Sequence, residues 1–168
     1  YVTGFYENTV ICYSYSKSLS LPGERIGYLV IPDALKDSQE VFNAATIANR
    51  VMGAVNAPSL MQRVIKRCVD ENVNLEAYDR NRNLLYNGLR DLGFECIKPE
   101  GAFYLFLKSP EADEKKFCAS CKKYNILVVP GSSFACPGYV RISYCVSYGQ
   151  IERSLPAFRK VAADYGLV

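Results

Sequence analysis

The sequence predicts an α/β fold in which amphipathic helices and short strands alternate along 168 residues. Apolar residues recur at three- and four-residue steps over residues 74–92, which is the spacing of one helix face. Elsewhere, as at residues 139–146, apolar residues form short runs of strand length, and turns containing proline or glycine separate the segments. Because no repeat or low-complexity stretch interrupts this alternation, we expect an α/β or α+β layered architecture.

The first part of the chain contains two predicted strands, at residues 10–13 and 25–31. Both are mostly apolar, as expected for strands that are covered on both faces. A helix is predicted from residue 33 to about residue 52, directly after Pro32-Asp33. The motif Asn56-Ala57-Pro58-Ser59 then interrupts the pattern and begins a second helix.

The remainder of the chain opens with a long helix over residues 74–92, which Gly93 ends as its C-cap. Shorter segments follow, which we predict as strands at residues 95–97, 102–107, 126–129 and 139–146 and as helices at residues 113–124 and 151–165. We place a connecting helical region at residues 33–56, so that residues 1–32 belong to one domain and residues 57–168 form another.

The charge pattern and the apolar runs argue against two classes of partner. The net charge of +3 comes from 20 basic and 17 acidic residues that are interspersed along the chain. No Lys/Arg block marks a nucleic-acid-binding surface, and no apolar run reaches the length of a membrane span. The chain also opens without a signal-peptide pattern. We therefore expect a cytoplasmic protein that binds neither nucleic acid nor a membrane.

The sequence contains no histidine and seven cysteines. Without histidine, the chain lacks Ser-His and Cys-His nucleophile pairs and most kinds of catalytic metal site, so we expect no metal. An odd number of scattered cysteines indicates reduced thiols in a cytosolic protein. Cys118 and Cys121 form a single CxxC motif, but they fall in a predicted helix and lack a second motif, which favours two thiols without a special role.

The most informative motif is Ser14-Tyr15-Ser16-Lys17, which is followed by Gly23-Glu24-Arg25-Ile26-Gly27-Tyr28. A lysine can form a Schiff base with a carbonyl cofactor and can shuttle protons once it is released. Arginine offers a planar, permanently charged fork to a phosphate, and serine hydroxyls add neutral donors. The set therefore suits a cofactor that carries both a carbonyl group and a phosphate. The alternative is that Lys17 is an ordinary solvated surface lysine.

Arg141 lies in the middle of the predicted strand Tyr139-Val140-Arg141-Ile142-Ser143-Tyr144, whose other members are mostly apolar or aromatic. Burial of a guanidinium is costly unless it meets an anion. That anion is either a carboxylate of the protein, in a structural ion pair, or a ligand. The preceding Pro137-Gly138 turn and the Pro130-Gly131-Ser132-Ser133-Phe134 loop place Arg141 near a loop mouth and favour the ligand.

Together these motifs resemble those of the class I/II aminotransferases, the aspartate-aminotransferase-like branch of the fold type I pyridoxal-phosphate enzymes. The resemblance rests on the Lys17 motif with Arg25 and on Arg141. Further motifs support it, namely Asn56-Ala57-Pro58-Ser59, Gly101-Ala102-Phe103-Tyr104 and Pro130-Gly131-Ser132-x-Phe134. The resemblance extends from residue 8 to the end of the chain. It implies the C-terminal part of such an enzyme, with two strands of the large-domain sheet followed by helices and a small domain that contains a mixed or antiparallel sheet.

The resemblance also implies a cofactor, pyridoxal 5'-phosphate, and a role for each site residue. Lys17 would carry the Schiff base and move a proton during the reaction. Ser14, Ser16 and Arg25 would bind the cofactor, with Ser14 and Arg25 on its phosphate. Arg141 would bind the substrate α-carboxylate. The substrates would be an amino acid and a 2-oxo acid, and the full-length protein would be a homodimer.

The same resemblance implies that part of the family's site is missing. The glycine-containing phosphate loop, the ring-stacking aromatic and the polar residues that hold the pyridine ring would all lie before Tyr1, so we expect the 168-residue chain to be inactive alone. Lys17 and Arg141 would serve other reactions on this scaffold, so a β-lyase or an aminocyclopropane-carboxylate-synthase-like enzyme stays open. A sensor domain of a transcriptional regulator and an inert structural module are further alternatives.

Overall fold

The computed structural model describes residues 2–168, and Tyr1, the first residue of the predicted segment 1–32, lies outside them. The chain divides into two compact units, Tyr1–Val73 and Asn74–Val168. The domain limits predicted from the sequence, around residues 33–56, stay predictions. No helix in the described part of the chain is long and apolar enough to cross a membrane.

The first unit contains a two-stranded antiparallel sheet and three helices. Strand β1 (Ile11–Ser14) pairs with β2 (Gly27–Val30), so that Ile11 lies opposite Val30 and Ser14 lies opposite Gly27. A one-turn helix, α1 (Tyr15–Ser18), and a 3₁₀ turn at Pro22–Glu24 connect the two strands. A 3₁₀ turn at Val2–Gly4 precedes β1, and α2 (Ser38–Val51) and α3 (Ser59–Cys68) follow β2. Both strands predicted beside Lys17 are therefore confirmed.

The expectation that these two strands are covered on both faces is wrong for the described residues. Every residue of β2 is exposed, and β1 is exposed from Cys12 to Ser14. Between residues 2 and 73, Ile26 and Ile65 are the only buried apolar residues. The reason is that β1 and β2 have no third strand beside them within the described part of the chain. Apolar side chains that stay in water contribute little hydrophobic stabilisation to this unit.

The helix predicted from residue 33 begins later, at Ser38. Residues 33–37 form turns instead, in which the N–H of Leu35 donates to Pro32 O at 3.0 Å and the N–H of Ser38 donates to Leu35 O at 3.1 Å. Asp37 has a left-handed backbone with φ 56°, a conformation that the interior of a right-handed helix does not contain. Pro32-Asp33 therefore ends the strand region without capping the helix.

The second unit is a four-stranded antiparallel sheet with three helices, which confirms the predicted layered architecture with a small antiparallel sheet. The strands are β3 (Cys96–Ile97), β4 (Tyr104–Lys108), β5 (Val129–Pro130) and β6 (Tyr139–Ser143), in the order β3-β4-β6-β5. The helices are α4 (Leu75–Asp91), α5 (Glu114–Lys123) and α6 (Tyr148–Asp164). A 3₁₀ turn at Gly131–Phe134 directly follows β5.

The core of the second unit joins one face of this sheet to the three helices. Leu105 and Leu107 on β4 and Val140 on β6 are fully buried. They belong to a cluster with buried residues of the helices and adjoining segments, among them Leu85, Leu89, Leu92, Phe94, Phe117, Cys121, Ile151, Phe158, Val161 and Ala162. Because successive side chains alternate across a strand, Arg141 lies on the opposite face of β6.

The long helix predicted over residues 74–92 is confirmed as α4. The Asn74 side chain caps its start by accepting a hydrogen bond from the N–H of Ala77 at 2.9 Å. Gly93 follows the helix with φ +81°, the left-handed conformation that glycine supplies at helix ends. The cap, the apolar spacing and the terminal glycine are all local signals, which explains why the sequence predicts this helix so closely.

The strand predicted at residues 126–129 is shorter than expected and consists of Val129–Pro130. Asn125 has a left-handed backbone with φ 61°, and the N–H of Ile126 donates to Cys121 O at 3.1 Å. This hydrogen bond ties residue 126 to the end of α5, so the backbone cannot join the sheet there.

The strand predicted at residues 139–146 ends at Ser143, and a side chain from α4 binds the carbonyl groups that follow. The Asn81 amide donates to Tyr144 O at 3.1 Å and to Val146 O at 2.7 Å. Helix α6 then begins at Tyr148, three residues before the predicted start.

Candidate functional site

Lys17 lies on the one-turn helix α1, directly after β1. Ser14 caps this helix, since its Oγ accepts a hydrogen bond from the N–H of Ser16 at 3.2 Å and donates one to Ser16 Oγ at 2.9 Å. Ser16 is buried, whereas Ser14 and Lys17 are exposed. Two of the residues predicted for the site, Ser14 and Ser16, are therefore hydrogen-bonded to each other at the start of the helix that carries Lys17.

Arg25 lies at the same end of the β1–β2 hairpin. It follows the 3₁₀ turn at Pro22–Glu24, and its Nη1 donates to Pro22 O at 3.0 Å. Its backbone is left-handed, with φ 52°, a conformation that is uncommon outside glycine and that recurs at functional sites. The N–H of Tyr15 donates to Ile26 O at 3.2 Å, which extends the pairing of the strands to the start of α1.

Gly27 allows the two strands to approach closely at this end of the hairpin. A Cβ at this position would lie 2.3 Å from Tyr13 O, and that oxygen belongs to the backbone, so it cannot rotate away. Any other residue would therefore separate β1 from β2. The separation would also displace Ser14, which lies opposite Gly27, relative to Arg25.

Three tyrosines pack against one another beside Lys17. Tyr13 stacks on its cross-strand partner Tyr28 with ring centroids 5.0 Å apart. Tyr15 lies 5.3 Å from Tyr13 and 5.8 Å from Tyr28 by the same measure. Tyr13 and Tyr15 are not among the site residues selected from the sequence. Their spacing of two residues, directly before Lys17, is a signal in the sequence that could have identified them. Aromatic pairs of this kind stabilise the hairpin end that carries the lysine.

The groups at this end of the hairpin fit a cofactor with a phosphate and a carbonyl group. The exposed side chains of Ser14, Lys17 and Arg25 are all hydrogen-bond donors, and two of them are cationic. Arg25 uses one N–H on Pro22 O and has further N–H groups for another acceptor. Ser18 Oγ is buried without a hydrogen-bond partner among residues 2–168, which is uncommon for a native hydroxyl. These donors match the chemistry of pyridoxal phosphate.

Arg141 lies on β6 between β4 and β5 and is half-buried. Its guanidinium carbon is 4.1 Å from the ring centroid of Tyr104 and 3.7 Å from that of Phe134, which is the range of cation–π contact. Within the described residues the ion pairs are Arg82–Asp79 and Lys108–Glu95, and neither involves Arg141. The structural ion pair considered for Arg141 therefore has no partner in this part of the chain, which favours the ligand.

Phe134 reaches Arg141 from the 3₁₀ turn at Gly131–Phe134. Its ring also meets Phe106 edge-on, with centroids 6.4 Å apart. A Cβ at Gly131 would lie 2.1 Å from Cys136 O and 2.6 Å from Tyr139 O, so only glycine permits this close packing of the turn. The loop is recognisable in the sequence, but the contact between Phe134 and Arg141 is not.

Cys118 and Cys121 both lie on α5, as predicted. Cys121 is fully buried, and burial raises the pKa of its thiol to about 12. Burial also raises the pKa of the half-buried Cys118. Across residues 2–168, no cluster of three or more Cys, Asp or Glu side chains is arranged to hold a metal ion.

In the 168-residue chain at about pH 8, iodoacetamide is expected to alkylate Cys145 and to leave Cys121 unmodified. Cys145 is exposed, whereas Cys121 is buried and its pKa of about 12 keeps the thiol protonated. Digestion and peptide mass spectrometry measure the labelled fraction at each cysteine, with complete labelling in urea as the control. Equal labelling rates at both positions would contradict the burial of Cys121.

Comparison with known proteins shows that the sequence of this chain matches one protein family. The sequence model of the family described as Aminotransferase class I and II matches residues 4–158. The chain is 32% identical over 173 residues to aromatic-amino-acid aminotransferase 2 of Thermococcus litoralis, and the alignment covers 98% of this chain and 44% of that protein.

The solved structures that are similar to this chain are also aminotransferases. A crystal structure of an amino transferase from Eubacterium rectale superposes with a TM-score of 0.87 at 50% identity, covering 98% of this chain and 42% of that one. Aspartate aminotransferase of Thermus thermophilus, a tetra mutant in complex with tryptophan, superposes with a TM-score of 0.78 at 27% identity, covering 91% of this chain and 41% of that one. This chain thus spans less than half the length of these relatives. By its sequence match and its fold, it belongs to the class I and II aminotransferase family.

Proposed function

We propose that this chain is the C-terminal portion of a pyridoxal-phosphate-dependent aminotransferase. The full-length protein transfers an amino group between an amino acid and a 2-oxo acid. One observation carries the proposal: Lys17 lies on a turn capped by Ser14, at the hairpin end that also holds Arg25, in a chain of the aminotransferase family. The remaining cofactor contacts are assigned to the part of the relatives' length that this chain does not span.

Ser14 and Arg25 bind the phosphate of the cofactor. Arg25 presents a permanently charged planar fork, whose hydrogen bonds to phosphate oxygens are charge-assisted. Ser14 adds a hydroxyl whose oxygen is held by the N–H of Ser16, and its O–H, which donates to Ser16 Oγ in this structure, would turn to the phosphate. Ser16 is buried and so contributes to cofactor binding chiefly by holding Ser14.

Lys17 attaches the cofactor and moves the substrate proton. When bound, pyridoxal phosphate supplies the electron-withdrawing ring that weakens the bonds at the α-carbon of the amino acid. The Nζ atom of Lys17 would hold the cofactor covalently until a substrate amine takes its place. The released amine of Lys17 would then accept the α-proton as a base and give it up again as an acid within the same half-reaction.

Arg141 binds the α-carboxylate of the substrate. A guanidinium and a carboxylate match as two parallel hydrogen bonds, which orients the substrate as well as attracting it. The rings of Tyr104 and Phe134 lie close to the guanidinium and restrict its rotation. Arg141 therefore enters the reaction with little conformational entropy left to lose.

The relatives of this chain differ in the amino acids that their names specify. The named relatives act on aromatic amino acids and on aspartate, two kinds of side chain with different chemistry. For this protein we propose an amino acid and a 2-oxo acid as substrates, and a homodimer as the assembly of the full-length protein.

Arg25→Ala in the full-length protein is expected to weaken pyridoxal-phosphate affinity by about 10- to 150-fold, because it removes a charge-assisted contact worth about 1.5–3 kcal/mol. A titration of the cofactor-free protein, followed by absorbance, measures the affinity. Arg50→Ala, an exposed arginine on α2 of the same unit, is the matched control and should bind the cofactor normally. Unchanged affinity in Arg25→Ala would remove Arg25 from the phosphate site.

The 168-residue chain alone is expected to fold over residues 74–168 but to catalyse no transamination. The buried cluster of the second unit lies within these residues, whereas Lys17 and Arg25 supply only an attachment point and a phosphate contact. Hydrogen exchange should find protected amides on α4 and β6 and rapid exchange on β1 and β2. Measurable transaminase activity, with a cofactor absorbance that survives dialysis, would contradict the proposed dependence on the rest of the protein.

A further inference from the structure

Glu114 is a buried carboxylate with no ion-pair partner among residues 2–168. It lies in the first turn of α5 and is 7% exposed, and the ion pairs of the described residues do not include it. A buried charge is costly unless hydrogen bonds compensate for its lost hydration. The hydrogen-bond donors around the Glu114 carboxylate therefore show which segment of the chain Glu114 holds in place.

Glu114 faces both ends of the loop at residues 132–138. Its Oε2 accepts a hydrogen bond from the N–H of Gly138 at 3.3 Å, and its carboxylate lies beside Ser132. The hydrogen bond from the Ser132 hydroxyl, followed by those from the N–H groups of Glu114 itself and of Gly138, lowers the pKa of Glu114. A charged carboxylate on α5 thus ties this loop to the helix.

The same loop brings Phe134 to Arg141. Its backbone folds back on itself, since the N–H of Ala135 donates to Ser132 O at 3.3 Å and the N–H of Cys136 donates to Gly131 O at 3.0 Å. Phe134 is outside the sheet, so no strand pairing sets its position. The distance of 3.7 Å between its ring centroid and the guanidinium carbon of Arg141 depends on how the loop is held.

We propose that Glu114 is a positioning residue for substrate binding. By holding the loop at residues 132–138, it keeps Phe134 against the Arg141 guanidinium and so orients the N–H groups that receive the substrate carboxylate. The inference rests on the proposed role of Arg141 in carboxylate binding. No ion pair joins Glu114 to Arg141 within the described residues, so Glu114 acts through Ser132, Gly138 and Phe134.

The test is Glu114→Ala in the full-length protein, assayed with whichever of the twenty standard amino acids the wild-type protein converts fastest. KM for that amino acid is expected to rise about tenfold while kcat changes less than about twofold, because a misplaced binding group weakens substrate affinity. The absorbance of the bound cofactor should not change. Phe134→Leu should raise KM to a similar extent, and the double variant should be no worse than Phe134→Leu alone, since both substitutions act through one contact.

Two further variants keep the test decisive. Glu111→Gln is the matched control, because Glu111 accepts a hydrogen bond from the Tyr165 hydroxyl and should affect thermal stability but not KM. Ser132→Ala removes one donor and keeps the carboxylate, so it replaces Glu114→Ala if that variant does not fold, and it should raise KM about threefold.

A lowered melting temperature with an unchanged KM in Glu114→Ala would make its role purely structural and overturn the inference. The inference is also overturned if Glu114→Ala does not fold and Ser132→Ala leaves KM unchanged. If Arg141→Ala also leaves KM unchanged, or no amino acid is converted by the wild-type protein, the proposed function fails instead.

Discussion

Lys17→Ala in the full-length protein is expected to reduce the rate of transamination by at least about 10²- to 10⁴-fold, the range that a positioned proton-transfer group contributes. The substitution removes both the covalent attachment of the cofactor and the amine that moves the α-proton. Folding should be nearly unaffected, because Lys17 is exposed on a one-turn helix. The rate of 2-oxo acid formation measures the loss, and circular dichroism tests the fold.

A separate measurement tests whether Lys17 is the residue that binds the cofactor covalently. Borohydride reduction of the cofactor-loaded protein, followed by digestion and mass spectrometry, should find the pyridoxyl group on Lys17. Lys66→Ala, an exposed lysine on α3 of the same unit, is the matched control and should retain full activity. A pyridoxyl group only on another lysine, or wild-type activity in Lys17→Ala, would exclude the assignment.

Arg141→Ala is expected to raise KM for the amino acid by about 100-fold or more, because it removes two charge-assisted hydrogen bonds to the substrate carboxylate. The absorbance of the bound cofactor should stay as in the wild type, since the proposed contact is with the substrate. Arg141→Lys should be intermediate, because an ammonium retains the charge but not the planar fork. Steady-state kinetics over a range of amino acid concentrations separates KM from kcat.

A substrate analogue distinguishes a carboxylate-binding role from general damage to the site. The wild-type protein should strongly prefer an amino acid over the amine that lacks its carboxylate, and Arg141→Ala should lose most of this preference. Arg159→Ala, an exposed arginine on α6, is the control and should leave both preference and KM unchanged. Loss of folding or of cofactor in Arg141→Ala would instead indicate a structural arginine.

Local signals account for the parts of the fold that the sequence predicts well. In α4, the Asn74 cap, the apolar spacing and Gly93 lie within one segment, so the helix limits can be predicted without knowledge of the rest of the chain. The predictions that fail depend on other information. The left-handed backbones of Asp37 and Asn125 determine where α2 begins and where β5 is shortened. Neither residue is a glycine, the residue that adopts this conformation most readily, so the sequence alone does not predict it at these positions.

The sequence by itself determined the chemical character of the hairpin site. Ser14, Ser16 and Lys17 lie within four consecutive residues and Arg25 follows on the same hairpin, so their grouping is a property of one short segment. The motif resemblance also predicted the family, which the match over residues 4–158 confirmed.

Only the tertiary structure decided which groups from distant segments meet in the second unit, where Arg141 lies. It brought the Asn81 amide to the carbonyls of Tyr144 and Val146, the Phe134 ring to Arg141, and the Glu114 carboxylate to Gly138. Each of these contacts joins side chains or backbone groups from different elements. The pattern within one element shows which of its faces is apolar, but not which polar group of another segment will meet it, because that choice is made by the packing of the whole unit.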